Sequence, residues 1–202
     1  MMFLTMLHEG GDRSRSHGLP VSVLKAQASA LGVPLMVRPA TWDDYEAVFI
    51  DALRELGRAG ISVGVFGDID LEEHREWVMK VCDATAVKPH LPLWGQPRKV
   101  SLAELIRNGF EATIVSVKKE VLDRRFLGRR IDQETVDDLE AAGVDASGEA
   151  GEYHTVVTNG PLFARPVEIR KGSVHERDGY LFLDVGFSGA SICLDSADVR
   201  SG

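Results

Sequence analysis

The chain has 202 residues, of which 44% are hydrophobic and 27% charged, and its formal net charge is −8 at pH 7. This is the composition of a globular protein with one domain, or one domain and a smaller companion. The excess of acidic residues argues against a surface that binds double-stranded nucleic acid, because such a surface needs clustered Lys and Arg. No apolar run reaches the roughly eighteen residues of a membrane span. Cys82 and Cys193 form no disulfide or metal-binding pattern. From these observations together we predict a cytoplasmic protein without nucleic-acid or membrane partners and without a metal centre.

The front of the chain alternates apolar runs with helical patterns, which is typical of an α/β fold with a parallel sheet. The clearest helix follows Thr41 and Asp44, which resemble a capping box, and repeats apolar residues at i, i+3, i+4 and i+7. The run 61–66 is continuously apolar, as in a strand buried on both faces of a parallel sheet, and we expect Asp70 to cap the helix after it. The predicted strands cover 3–7, 34–37 and 61–66, and the predicted helices cover 20–31, 45–56 and 71–82.

The second half of the chain begins with helices and ends in strands. Ser101 and Glu104 form a capping-box pattern, which predicts the start of a helix. Further helices are predicted over 119–127 and 133–142, and strands over 111–117, 153–158, 162–170 and 180–187. Strands without intervening helices indicate an antiparallel sheet, so we predict an α/β lobe over 1–98 and a β-rich lobe over 99–202. The tail from Gly189 is small and polar, and we expect it to be frayed.

The densest group of ionisable residues lies in the glycine-rich loop 148–155. Glu149 and Glu152 are three residues apart, and His154 follows two residues later, so in a strand it shares a face with Glu152. Glycines allow the close backbone approach that a ligand needs, and three titratable groups in one loop favour a functional site over a solvated turn. The carboxylates could bind Mg²⁺, or serve as a base and a positioning group. The residues alone leave these alternatives open.

Two further positions are candidates because they follow predicted strands. Gly67 and Asp68 lie at the carboxyl end of the strand 61–66, the edge at which open α/β sheets bind their ligands. Asp68 could hold a ribose, a metal-bound phosphate or a substrate amine, although a strand-to-helix turn with a capping Asp explains the same pattern. Among the scattered histidines, His17 is the candidate, since its loop leaves the carboxyl end of the first predicted strand.

Taken together, these pieces resemble the diphthine–ammonia ligase family of ATP pyrophosphatase-type amide ligases. The specific motif is the loop 148–155 followed by 159–163, and shorter pieces match in chain order at 4–6, 15–18, 27–32, 65–69, 92–94 and 127–129. The resemblance implies a HUP-type parallel-sheet nucleotide-binding lobe, a smaller C-terminal lobe, and a site in the cleft between them. It implies that a substrate carboxylate attacks the α-phosphate of ATP, accompanied by Mg²⁺, and that ammonia then displaces AMP. In archaeal and eukaryotic members the carboxylate belongs to diphthine, a modified histidine of translation elongation factor 2.

The resemblance also implies roles for individual residues. The candidate nucleotide-binding residues, with the first two on the adenine side, are Thr5, Met6, His17, Gly67 and Asp68. The candidate catalytic residues facing the carboxylate or ammonia are Glu149, Glu152 and His154, and those that shape the loop are Gly148, Gly151, Tyr153 and Thr155. The expected partners are ATP, ammonia and a carboxylate substrate, and a homodimer stays open.

The sequence departs from the family at its start. The family begins with a strand and a Ser-Gly-Gly-x-Asp-Ser loop, whose backbone amides cradle the pyrophosphate, and this motif is absent from the sequence. The run 10–12, Gly-Gly-Asp, is a poor substitute because it follows what matches the family's second strand. We expect that the first strand and phosphate loop are missing from this version of the sequence. The alternative is a non-catalytic nucleotide- or partner-binding module that has lost the phosphate loop.

Overall fold

A computed structural model of the chain describes residues 1–189, and within them lie eight strands, five α-helices and one 3-10 helix. The strands are β1 (Phe3–Leu7), β2 (Leu35–Pro39), β3 (Val63–Val65), β4 (Lys88–His90), β5 (Glu111–Lys118), β6 (Tyr153–Asn159), β7 (Ile169–Arg177) and β8 (Tyr180–Phe187). The helices are α1 (Val21–Ala30), α2 (Tyr45–Arg58), α3 (Glu72–Asp83), α4 (Arg98–Arg107) and α5 (Gln133–Ala141), and the 3-10 helix covers Arg124–Phe126. The predicted fraying after Gly189 and the role of Cys193 fall outside the described residues.

The predicted fold class is confirmed: parallel strands occupy the front of the chain and an antiparallel sheet forms a separate lobe. Strands β1 and β2 form one parallel ribbon, and β3 and β4 form another. Helices α2 and α3 join the strands in one core that includes Met6, Phe49 and Val81. Cys82 is buried in the same core, as predicted for a small core residue. In residues 1–189 no helix is long and apolar enough to cross a membrane.

The run 61–66 is less buried than its composition predicts. Only Val63–Val65 forms a strand, and the side chains of Val63 and Val65 are 48% and 68% exposed. The expectation of a strand buried on both faces is therefore wrong. Strand β3 pairs with β4 along one edge, and the face that carries both valines is open to solvent.

The antiparallel sheet has the order β6-β5-β8-β7 and packs against α5 and the 3-10 helix. Phe126 and Leu139 are almost fully buried in that core. The helix predicted over 119–127 is wrong, since only a 3-10 helix forms there. Asp123 caps it by accepting a hydrogen bond from the Arg125 amide at 2.7 Å, and Gly128, with φ of +80°, turns the chain away.

The strand predicted over 162–170 is also wrong, because β7 covers Ile169–Arg177. The segment before it crosses to α1, where the Ala164 amide donates to the Ala30 carbonyl at 2.8 Å. Strand β7 instead pairs with β8 through a two-residue turn at Asp178 and Gly179, whose φ angles are +50° and +79°. An Asp-Gly pair is a strong hairpin signal, and the polar composition of 171–177 obscured it. Strand β4 was likewise not predicted, since Pro89 lies within it.

Two of the three predicted helix caps are wrong, although α3 itself begins at Glu72, one residue after its predicted start. Helix α4 begins at Arg98 after Pro97, three residues before Ser101, whose hydroxyl donates to the Gln96 side chain. Asp70 does not cap α3; it binds Arg98 instead. The competing partner is a charged guanidinium, which forms stronger hydrogen bonds than a backbone amide.

The third predicted cap is confirmed at α2. The Thr41 amide donates to Asp44 Oδ1 at 2.6 Å, and the Asp44 amide donates to Thr41 Oγ1 at 3.3 Å. These reciprocal bonds are those of a capping box.

Helix α1 connects the parallel strands to the antiparallel sheet. Val23 is fully buried in a core with Val115, Val156 and Val185 from β5, β6 and β8. Gln27 Nε2 donates to the Val157 carbonyl of β6 at 2.7 Å. A helix from the front of the sequence thus packs on the rear sheet, and the division into lobes at residues 98 and 99 stays a prediction.

The substitution Phe126→Ala tests the packing of the antiparallel lobe. Removing a buried Phe ring costs about 3–5 kcal/mol, because both burial and packing contacts are lost. We expect urea unfolding to show this loss, whereas Leu162→Ala, at a side chain 78% exposed, should change stability by less than about 0.5 kcal/mol. Equal effects of the two variants would contradict the packing described here.

Candidate functional site

The loop that precedes β6 is folded over two tyrosine rings. Gly148 and Gly151 have φ angles of +71° and +78°, which disfavour other residues. A Cβ at Gly148 would lie 3.0 Å from the Tyr153 ring, and one at Gly151 would lie 3.3 Å from the Tyr180 hydroxyl. The buried Tyr153 hydroxyl donates to the Ala146 carbonyl at 2.5 Å, and the Tyr180 hydroxyl donates to the Gly151 carbonyl at 2.9 Å. Both glycines are therefore required by the shape of the loop.

The two loop carboxylates have different surroundings. Glu152 accepts a hydrogen bond from the Ala150 amide at 3.1 Å, so its carboxylate stabilises the loop itself. Glu149 is half-buried, and this burial raises the pKa of its carboxyl group. The Arg98 guanidinium opposes that rise, while nearby carboxylates, those of Asp70, Asp68 and Asp145, add to it. Glu149 is thus the loop carboxylate whose charge depends on the residues around it.

Arg98 joins the loop region to the turn after β3. Its Nε and Nη2 atoms donate to the two carboxylate oxygens of Asp70, each at 2.7 Å, and Nη1 donates to Asp145. These bonds lower the pKa of Asp70 and raise that of Arg98. Asp145 in turn accepts hydrogen bonds from the amide and hydroxyl of Ser147, one residue before Gly148. The bidentate geometry is the strong form of an arginine–carboxylate pair.

Arg98, Asp70 and Asp145 were not predicted as site residues. The partners lie 28 and 47 residues from Arg98 along the chain. No local pattern connects positions so far apart, and Asp70 by itself has the pattern of a helix cap.

The candidate nucleotide-binding residues are distributed over both ribbons. Gly67 has open space where a Cβ would lie, and the Asp68 carboxylate beside it is 3.2 Å from His74 Nδ1. Thr5 is half-buried opposite Val37 in β2, whereas Met6 is buried in the core with α2 and α3. The Asp68 charge adds to the raised pKa of Glu149, and the Met6 side chain packs in the core. The roles of both residues in nucleotide binding stay predictions.

His17 reaches the rear sheet because its loop is attached to both lobes. The Arg15 amide donates to the Met6 carbonyl of β1 at 3.2 Å. Arg13 forms an ion pair of 3.1 Å with Asp184 of β8. Gly18 has φ of +66°, and a Cβ there would lie 3.1 Å from the Phe182 ring.

His17 contacts His154, the candidate catalytic histidine of β6. Their ring centroids are 4.7 Å apart with the planes tilted by 49°, and the Tyr180 ring also stacks on His154 at a centroid distance of 6.0 Å. His17 is exposed, yet the protein atoms around its ring lower its pKa to about 4 by desolvation, and His154 adds a smaller repulsion. Burial also lowers the pKa of His154. Both rings are therefore neutral at neutral pH.

The remaining loop position, Thr155, is half-buried and pairs with Ile114 of β5. In the part of the chain that the structure describes, no group of three or more His, Cys, Asp and Glu side chains is arranged to hold a metal ion. Glu149, Glu152 and His154 therefore do not form a metal-binding cluster of their own.

Comparison with known proteins gives the family. The model of the diphthamide synthase N-terminal domain matches residues 1–89, and that of the diphthamide synthase C-terminal domain matches residues 97–188. The chain belongs to the diphthamide synthase family. The C-terminal domain match includes the loop 148–155, in which Gly151 and His154 contact Tyr180. The N-terminal domain match includes His17 and Asp68.

Several curated relatives are named diphthine–ammonia ligase. The Danio rerio protein is 26% identical over 196 residues, which cover 92% of this chain and 75% of the relative. The Bos taurus protein is 32% identical over 132 residues, covering 63% of this chain and 48% of the relative. The Homo sapiens protein is 32% identical over 127 residues, covering 60% and 46%. The aligned part of the chain thus spans about half the length of the two mammalian relatives.

Replacing Arg98 by Gln tests the connection between the turn and the loop. Because the Arg98 hydrogen bonds lower the pKa of Asp70 and its charge lowers that of Glu149, we expect both pKa values to rise in Arg98→Gln. Carboxyl carbon shifts followed by NMR during a pH titration measure this. Arg75→Gln, which removes the 2.9 Å pair with Glu72 on α3, is the matched control. An unchanged Asp70 pKa in Arg98→Gln would contradict the bidentate pair.

His17→Gln tests the neutral histidine pair through the pH dependence of stability. Folding lowers the pKa of His17 from 6.5 to about 4, so the unfolded chain binds more protons between these pH values. The stabilisation from a neutral His17 is complete above pH 6.5 and is lost as the pH falls toward 4. Urea unfolding at about pH 7.5 and 4.5 should therefore show a smaller acid destabilisation in His17→Gln than in the wild type. His90→Gln, at an exposed position in β4, is the control, and equal acid sensitivity of wild type and His17→Gln would refute the prediction.

Proposed function

We propose that the chain is an ATP-dependent amide ligase of the diphthine–ammonia ligase type. The observation that carries the proposal is the match of both diphthamide synthase domains, which together cover most of the chain. The name of these relatives, diphthine–ammonia ligase, indicates the substrates, a diphthine carboxylate and ammonia. ATP supplies the activation: the carboxylate oxygen bonds to the α-phosphorus, pyrophosphate leaves, and ammonia then displaces AMP to form the amide.

In this proposal the nucleotide lies at the carboxyl ends of the parallel strands, where open α/β sheets bind ligands. Thr5, Gly67 and Asp68 are the residues that we assign to it, with Gly67 allowing close approach because the space above it is open. Met6 supports this edge from the core. Mg²⁺ enters this proposal as the ion that accompanies ATP.

Glu149 is the residue that we assign to proton transfer at the acceptor. Its burial and the surrounding carboxylates raise its pKa, which brings it closer to the pH at which a general base works best. Glu152 stabilises the loop by accepting a hydrogen bond from the Ala150 amide. Arg98 attaches the segment that leads into this loop to the turn at Asp70. The two loop carboxylates thus have different roles because their surroundings differ. A cytoplasmic location, a homodimer and the absence of nucleic-acid partners stay predictions.

The test is ATP-dependent amidation of diphthine on translation elongation factor 2 by the full chain, with Mg²⁺ and ammonium chloride. We expect AMP to be released only when acceptor and ammonium are both present, whereas acceptor alone allows adenylation and the formation of pyrophosphate. Glu149→Gln should lower kcat/KM by about 10²–10⁴-fold, the usual contribution of a general acid or base. Glu134→Gln, at an exposed position on α5, should leave the rate unchanged.

The phosphate-loop motif of the family is absent from this sequence, so the experiment includes calorimetric titration of ATP with Mg²⁺ into the same protein. ATP binding without AMP release in the presence of acceptor and ammonium would contradict the ligase and favour the nucleotide-binding module. Neither binding nor AMP release would remove the catalytic assignment for this chain.

A further inference from the structure

We propose that Trp42 is the stacking surface for the base of the nucleotide, a flat purine ring that lies on the open face of the indole. The proposal rests on the proposed function, which brings ATP to the parallel strands, and it adds the side chain that holds the base. Trp42 would thus join Thr5 and Met6, the residues of β1 that are candidates for the adenine side.

Trp42 lies at the carboxyl ends of β1 and β2. It follows Pro39, the last residue of β2, by three positions. The Ala40 amide between them donates to the Leu7 carbonyl at the end of β1 at 3.1 Å. Open α/β sheets bind their ligands at this edge, so the indole is placed on the side of the ribbon to which the proposed function assigns the nucleotide.

The indole ring is covered on one face and open on the other. The Arg15 guanidinium lies over the ring, with its Cζ atom 4.5 Å from the ring centroid. The Tyr45 ring is 5.7 Å from the indole, with the planes tilted by 35°. Trp42 is nevertheless 71% exposed. A ring that was covered on both faces would lose most of its surface, so one face of the indole is free to stack on a flat ligand.

Arg15 fixes the position of this exposed ring. The Arg15 side chain is only 6% exposed, and its Nη2 atom donates to the Glu9 carboxylate at 2.9 Å and to the Ala40 carbonyl. Its Nε atom is buried without a hydrogen-bond partner among the described residues. The attraction between the guanidinium and the indole face therefore contributes to stabilising a buried charge, and the same contact orients the ring.

The backbone of Trp42 is also held. Thr41 and Asp44 form the capping box of α2, and their reciprocal hydrogen bonds enclose the Trp42 peptide units. A ligand that stacks on this ring meets a side chain that is already positioned, which lowers the conformational entropy lost on binding.

The cation behind the ring favours a particular class of ligand. Arg15 already occupies one face as a cation and draws the electron density of the ring toward it. The open face is thereby less suited to a second cation and better suited to an electron-rich flat ring, because less π-electron repulsion opposes stacking. Adenine is such a ring, and bases commonly stack on aromatic side chains in nucleotide-binding proteins.

The direct test is NMR of the full chain during titration with adenosine, which carries the base and the ribose without phosphates. Ribose at equal concentration is the control for the sugar. We expect saturable shifts of the Trp42 ring signals with adenosine only, together with nuclear Overhauser contacts between the adenine protons and the indole. Absence of adenosine binding, or binding without contacts to Trp42, would overturn the proposal.

Variants measure the contribution of the ring. Trp42→Ala should weaken adenosine binding by about tenfold, the scale of stacking one base on an aromatic side chain. Trp42→Phe, which keeps a flat aromatic face, should restore most of the affinity. The matched control is Trp94→Phe, at a ring that lies 5.1 Å from the Arg75 guanidinium, and it should bind adenosine as the wild type does. Equal affinities of the wild type and Trp42→Ala would contradict the stacking site.

A kinetic measurement separates this proposal from the proposed function. In the amidation assay, Trp42→Ala should raise the KM for ATP by about tenfold and leave kcat unchanged, because the base is remote from the reacting atoms and is bound equally before and during reaction. Absence of amidation by the wild type would refute the ligase, and the adenosine titration would still decide the stacking site. Normal amidation with an unchanged KM for ATP in Trp42→Ala would refute the stacking site alone.

Discussion

The candidate site depends on one cation between two carboxylates. Arg98 binds Asp70 through both oxygens and Asp145 through its third nitrogen, so it joins the turn after β3 to the segment that leads into the glycine-rich loop. A guanidinium suits this position because its planar fork can serve two carboxylates at once. Without it, two negative charges would face Glu149 with no compensation. Arg98 therefore helps to position the loop and also opposes the rise in the Glu149 pKa that burial causes.

A second junction lies on the other side of the antiparallel sheet. The loop after β1 is attached to β8 by Arg13 and Asp184, and α1 packs into the core of β5, β6 and β8 through Val23. The histidine pair lies at this junction, so any movement between the front strands and the rear sheet would change its geometry. The two junctions place the proposed nucleotide and acceptor groups on one continuous framework.

Local patterns predicted much of this fold, and long-range pairing explains what they missed. Strand β1, helix α2 and strand β8 follow from periodicity and capping, since the signal for each lies within a few neighbouring residues. The exposure of Val65 does not follow from its apolar neighbours, because burial depends on which strands pair beside it. The glycine-rich loop was found because its glycines and carboxylates are contiguous. Arg98 and the contact between His17 and His154 were not, because each unites residues far apart in sequence.

The central claim is that ATP activates a carboxylate as an acyl-adenylate before nitrogen attack. The measurement that tests it most directly uses acceptor diphthine labelled with ¹⁸O in its carboxylate, with AMP analysed by mass spectrometry after amidation. Ammonia attack breaks the bond between the carboxyl carbon and the oxygen that bridges it to phosphorus. One labelled oxygen should therefore leave with AMP. Label in AMP is the predicted result. Amide formation with unlabelled AMP, or with the label in inorganic phosphate, would contradict the account.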